Sequence, residues 1–107
     1  MLFGGRAKDA PYAESTTVVT INGGVEGLVH SMAIEIASMS VNGLRHGMIG
    51  DSPFCAGTTA ALAVHESRAP CGELGTMADI VGVTMFLLDN RGVFSKSHNV
   101  DRGWPLT

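Results

Sequence analysis

The chain has 107 residues, 45% of them apolar and 16% charged, with a formal net charge of −3, a balance that fits one small globular domain spanning 1–107 rather than a disordered segment. Its positive residues are scattered, which argues against a nucleic-acid partner or an anionic membrane surface. The start, MLFGGRAKDA, has no apolar leader region, and the longest apolar runs, Ala60 to Val64 and Met85 to Leu88, are too short to cross a bilayer, so a soluble, cytoplasmic protein is expected.

In chain order, Met1 to Phe3 reads as the tail of a strand running into Gly4-Gly5, followed by a polar stretch to Thr16 that contains Pro11. The Ser15-Thr16-Thr17 cluster offers N-cap hydroxyls for a long helix over 17–38. Ile21, Val25, Leu28, Met32 and Ile36 recur at three- and four-residue steps and form its apolar stripe, widened by Val29, Ala33 and Ala37. Asn22, Glu26 and His30 form the wet face. Gly23, Gly24 and Gly27 each cost about 1 kcal/mol against alanine inside a helix, and the expected reason is close approach of another backbone or a flat ligand.

Val41 to Ile49 reads as a short strand that bends at Gly47. The stretch 51–75 is an irregular excursion with a possible short helix from Thr58 to His65; excursions of this length are commonly lids or binding loops. Thr76-Met77-Ala78-Asp79 fits the Ser/Thr-x-x-Asp/Glu capping box and opens a second helix whose buried side is Ile80, Val81, Val83, Met85, Leu87 and Leu88. Asn90-Arg91-Gly92 is its C-cap, and His98 to Asp101 is the last strand. The resulting β-α-β-loop-α-β order predicts an α/β fold with a short parallel sheet and crossover helices. Cys55 and Cys71 make no C-x-x-C and have no histidine pair nearby, so both read as free thiols. His65-Glu66 lacks the second histidine of a zinc motif, since position 69 is Ala69.

Two stretches carry a family resemblance. INGGVEGLVHSMAIEIASMSVNGLRHGMIGDSP and MADIVGVTMFLLDNRGVFSKSHNVDRGWPL resemble, in order and spacing, the C-terminal half of short-chain dehydrogenase/reductases. The anchors are Glu26-Gly27-Leu28, Ala33 with Glu35, Val41-Asn42, Gly47, Asp79-Ile80, Phe86-Leu87, and Val100-Asp101 with Gly103. The resemblance implies a partial Rossmann-like three-layer fold, reaching to Leu106, and NAD or NADP as cofactor. No G-x-G-x-x-G turn for the dinucleotide pyrophosphate occurs in the chain.

Family chemistry uses a tyrosine acid/base, a lysine four residues on that favours the phenolate, and an upstream serine. Aligned on Glu26-Gly27-Leu28, these positions hold Val18, Asn22 and Gly5, so no catalytic residue is assigned. Tyr12, with Lys8 four residues before it, is a poor substitute. The family's nicotinamide-carboxamide contact maps to Gly47, Ile49 and Ser52, or Asp51 with one residue of slippage, with His46 in place of its proline. Two functional expectations follow from the resemblance. The first is an NAD(P)-dependent oxidoreductase-like protein that is not catalytically competent as this chain alone. The alternative is a non-catalytic oligomeric interaction module, and either reading anticipates a homo-oligomer packed through the 17–38 helix and the C-terminal helix and strand.

Overall fold

Three four-residue strands form one parallel sheet in the order β1-β2-β3: β1 over Leu2–Gly5, β2 over Gly43–His46 and β3 over Ser97–Val100. The structure, a computed structural model, describes residues 1–104; Leu106, which closes the family resemblance, lies outside them. Leu2 stands opposite Gly43 and Gly5 opposite His46, and β2 meets β3 from Gly43 and Ser97 to His46 and Val100. Parallel neighbours cannot be joined by a tight hairpin, so each junction needs a crossover. Helix α1 (Thr16–Glu35) makes the first; a 3-10 turn (Pro53–Cys55), α2 (Thr59–Arg68) and α3 (Met77–Asp89) make the second. The α/β class and the β-α-β-loop-α-β order of a partial Rossmann-like fold are those read from the sequence.

Helix α1 packs on the face of the sheet toward which Gly43 and Arg45 point. A Cβ on Gly43 would lie 3.0 Å from Val29 Cγ2, and Arg45 Nη1 reaches Glu26 Oε2 at 3.3 Å. The core there is Val29, Ala33 and Val41, with Leu2 and Met32 against it. Side chains alternate along a strand, so the fully buried Leu44 points to the other face, which α3, in contact with β3, is left to close.

Several local expectations are corrected. The buried stripe of α1 runs through Asn22, Val29 and Ala33, so Asn22 faces the sheet instead of solvent, while Ile21 and Leu28 are exposed. The helix had two candidate faces, and the strand it crosses selected the narrower one. Helix α1 ends at Glu35, not Ser38. Ser15 does occupy its N-cap position but bonds no helix amide; its Oγ accepts from Tyr12 N–H and donates to Tyr12 O, closing the preceding turn. A Cβ added at Gly24 or Gly27 would meet nothing within 4 Å, so close approach does not explain those glycines, and nothing in the described residues does. On α3 only Leu87 is buried, whereas Val81, Met85, Phe86 and Leu88 are exposed.

The capping box is present in full: Asp79 N–H donates to Thr76 Oγ1 and Thr76 N–H to Asp79 Oδ2. Asn42, nearly fully buried, donates from Nδ2 to Val93 O at 2.7 Å and accepts from Lys96 N–H at 3.2 Å, fastening the segment after α3 to the start of β2. After β3 the chain turns through two left-handed residues, Arg102 (φ 51) and Gly103 (φ 74). That conformation costs a non-glycine residue roughly 1 kcal/mol. Ion pairs from Arg102 to Glu73 at 2.6 Å and Asp79 at 3.0 Å oppose the cost.

Candidate functional site: a cleft at the carboxyl ends of the strands

Open parallel sheets bind ligands beyond the carboxyl ends of their strands, where the crossover loops leave a crevice. Such a cleft, of about 710 Å³, opens here. Its floor is Phe3 and Gly5 of β1 and His46, Gly47 and Met48 at the end of β2; its walls are Val18 and Asn22 of α1, Phe54 and Cys55 of the 3-10 turn, and Ile80 of α3. The excursion over the cleft is closed at its base by a parallel bridge: Gly50 N–H donates to Gly75 O at 2.9 Å and Gly75 N–H to Met48 O at 3.0 Å. Asp51 Oδ1 accepts the Met77 N–H at 2.8 Å, so the start of α3 is held to the same base.

All three positions aligned with the family's catalytic side chains line this cleft, and none carries catalytic chemistry. Gly5 offers no side chain, Val18 no proton, and Asn22 is committed, its Oδ1 accepting from Gly5 N–H at 2.8 Å. Tyr12 also lines the cleft, but Lys8 does not join it there: its Nζ lies 2.9 Å from both Asp9 Oδ1 and Glu26 Oε2. A phenol needs a nearby cation to act as a base near neutral pH, and Lys8 is fully engaged elsewhere.

The three residues expected at the nicotinamide edge, Gly47, Ile49 and Ser52, line the same cleft. Gly47 is there because nothing larger fits: a Cβ would stand 2.7 Å from Asp101 Cβ and 2.9 Å from its Cα. Ser52 caps the 3-10 turn, its Oγ accepting from Phe54 N–H. His46 Nδ1 lies 2.9 Å from Gly47 O; a carbonyl can only accept, so Nδ1 is the donor in that contact. The neighbourhood of Ile49 and Ser52 suits a carboxamide, combining a small hydroxyl with an apolar wall. No glycine-rich phosphate cradle accompanies it among the described residues.

Sequence reading missed two features. The first is a cluster of six charges at the carboxyl ends of the strands. Arg6 Nη1, Arg45 Nη1 and Lys8 Nζ all reach Asp9 at 2.9 Å, Lys8 and Arg45 share Glu26, and Arg6 Nε lies 3.0 Å from Asp101 Oδ2. Hydrogen bonds from Lys8 hold the Asp9 and Glu26 carboxyls below their ordinary range, and the same bonds, to Asp9 first, raise the Lys8 ammonium. Arg6-Ala7-Lys8-Asp9 was legible as a mixed-charge loop, but its partners outside the loop lie 17 or more positions away, Glu26 on α1, Arg45 on β2 and Asp101 just after β3. The second is Trp104, which lines the cleft and donates from Nε1 to His65 Nδ1 at 3.1 Å, with an edge-on ring contact. That is the one side-chain hydrogen bond joining α2 to another element among the described residues.

No protein-family model and no curated protein sequence matches this chain. Solved structures do match it closely in shape. A small-chain dehydrogenase in complex with NADPH superposes with a TM-score of 0.88 at 23% identity, over 99% of this chain and 50% of that one. The MalC reductase/Diels-Alderase of Malbranchea aurantiaca gives 0.88 at 19% identity, over 99% and 42%. The enoyl-acyl-carrier-protein reductase (NADH) of Aquifex aeolicus VF5 gives 0.82 at 16%, over 98% and 43%. The chain thus spans at most half the length of the structures it matches, and over that length its fold is the α/β fold of short-chain dehydrogenases and reductases, as the resemblance in sequence implied.

Proposed function

We propose that this chain is a short-chain dehydrogenase/reductase-like half-fold, equivalent to the C-terminal part of such an enzyme, whose cleft takes the nicotinamide end of NAD or NADP but which does not turn over substrate by itself. The observation that carries the reading is convergence: six positions matched to the family's catalytic and nicotinamide contacts, Gly5, Val18, Asn22, Gly47, Ile49 and Ser52, surround one cleft. A nicotinamide bound there would supply or accept a hydride. This chain's share is to hold its edge at Ile49 and Ser52 and to set the depth of the floor through Gly47, with Met48 as an apolar part of that floor. Proton transfer has no donor here, because a valine and a glycine stand where the tyrosine and serine would be. We place the protein in the cytoplasm, in keeping with the free thiols of Cys55 and Cys71.

Trp104 is the only tryptophan in the sequence and lines the cleft, so its fluorescence reports binding. Titration with NADH and NADPH gives a saturable change in micromolar cofactor, and no consumption of either when carbonyl substrates are added. Silence up to millimolar cofactor overturns the binding half of the proposal, and measured turnover overturns the other half.

A second reading, an oligomeric interaction module, is favoured by the outward apolar faces. Ile21, Leu28 and Ile34 on α1 and Val81, Phe86 and Leu88 on α3 are between 46% and 80% exposed, more apolar surface than an isolated monomer usually presents. A homo-oligomer packed through these helices would cover it. Light scattering on the eluting protein at micromolar concentration gives a mass of at least twice 11.1 kDa if so, and a folded monomer refutes it.

A further inference from the structure

We infer that the cleft takes an uncharged, predominantly apolar small molecule and discriminates against anionic ones. Its volume, about 710 Å³, falls within the roughly 300–1,000 Å³ typical of small-ligand sites. The walls are mostly apolar: Phe3, Val18, Met48, Phe54, Met77 and Ile80. A charged ligand would have to find a counter-charge, and among the described residues lining the cleft the one full charge is Arg6, whose side chain is only 10% exposed and is paired to Asp9 and Asp101. The cluster to which it belongs holds three cations and three carboxylates, so it presents no net charge to the cleft. An anion set against these side chains finds no unpaired cation among the described lining residues to replace the hydration it gives up there. Single polar groups are provided for among the lining residues: the His46 imidazole, whose Nδ1 contacts Gly47 O, and the Tyr12 hydroxyl. A neutral body with one hydroxyl or amide group fits that set.

The inference goes beyond the nicotinamide reading and stands on the lining alone. The test uses two probes with the same apolar body: neutral N-phenyl-1-naphthylamine and 8-anilinonaphthalene-1-sulfonate, which adds one sulfonate. The neutral probe binds at least tenfold more tightly to the wild-type chain. Val18→Lys, at a half-exposed position of α1, places a cation in the wall and narrows that ratio at least fivefold, with helicity followed by circular dichroism to establish that the variant is folded. Phe86→Ser, on the outer face of α3, leaves the affinity for the neutral probe within twofold. Equal wild-type affinities, a ratio unmoved by a folded Val18→Lys, or loss of the neutral probe in Phe86→Ser each overturn the inference. Failure of NADH to bind while the naphthylamine still does overturns only the nicotinamide reading.

Discussion

Asn22 stands where the family's lysine would be, and the structure gives it another task. Its Oδ1 takes the Gly5 N–H at 2.8 Å across the junction of β1 and α1, and the residue is only 9% exposed. Asn22→Ala leaves that partly buried amide without its protein acceptor, which costs about 1–3 kcal/mol. Alanine is the better helix former by roughly 0.6 kcal/mol, so the net loss is about 1–2 kcal/mol. For a domain of this size each kcal/mol lowers Tm by about 4–8 °C. Urea unfolding followed by circular dichroism, with the unfolding slope unchanged, measures it directly. His30→Ala, on the exposed side of the same helix, is the control and moves stability by less than about 0.5 kcal/mol. If Asn22→Ala is as stable as the control, the side chain does not fasten the helix to the sheet and the account of its burial fails.

At Gly47 an added methyl meets Asp101 Cβ at 2.7 Å and the backbone Cα at 2.9 Å; Gly47→Ala therefore overpacks the end of β2 and loses about 1–3 kcal/mol in the same unfolding assay. Thr76→Ala removes the hydroxyl that accepts the Asp79 amide and lowers stability by about 1 kcal/mol, whereas Thr76→Ser retains most of it. The acid limb of the stability profile has a defined sign. Asp79, through the Thr76 amide first and Arg102 next, and Asp9 and Glu26, through Lys8, are all held below their ordinary range in the folded chain. Their contribution is therefore present above the unfolded carboxylate range of about pH 4 and is lost as pH falls through the folded values. Chemical denaturation at stepped pH finds a plateau above about pH 5 and a decline below it, shallower in Asp79→Asn. Lys8, shifted upward, gives the mirror-image limb, in which stability falls as pH rises past the lysine range.

Local signals were reliable where the deciding interaction is itself local. The Thr76–Asp79 box fixed the start of α3 within four residues of sequence, and the strands expected over 1–3, 41–49 and 98–101 lie within three residues of Leu2–Gly5, Gly43–His46 and Ser97–Val100. Gly47, Ile49 and Ser52, singled out by the resemblance, do line one cleft, since they follow directly on the end of β2. Which face of α1 turns inward was not legible. Its hydrophobic pattern is spread around the helix, and the choice went to the stripe of Asn22, Val29 and Ala33 because only small or hydrogen-bonding side chains fit against the glycine-rich ends of β1 and β2.

Order and periodicity by themselves settled the α/β class and the parallel crossover pattern, which require no partner; that Val18, Asn22 and Gly5 stand where the family has tyrosine, lysine and serine is what the resemblance implied. Tertiary structure alone decided that Gly5, Val18, Asn22, Gly47, Ile49 and Ser52 share one cleft, that six charges from a loop, a helix and two strand ends neutralise one another beside it, and that Trp104 meets His65. Each of these includes pairs at least 17 positions apart, Gly5 with Asn22, Lys8 with Glu26 and His65 with Trp104, separations that only the folded chain closes.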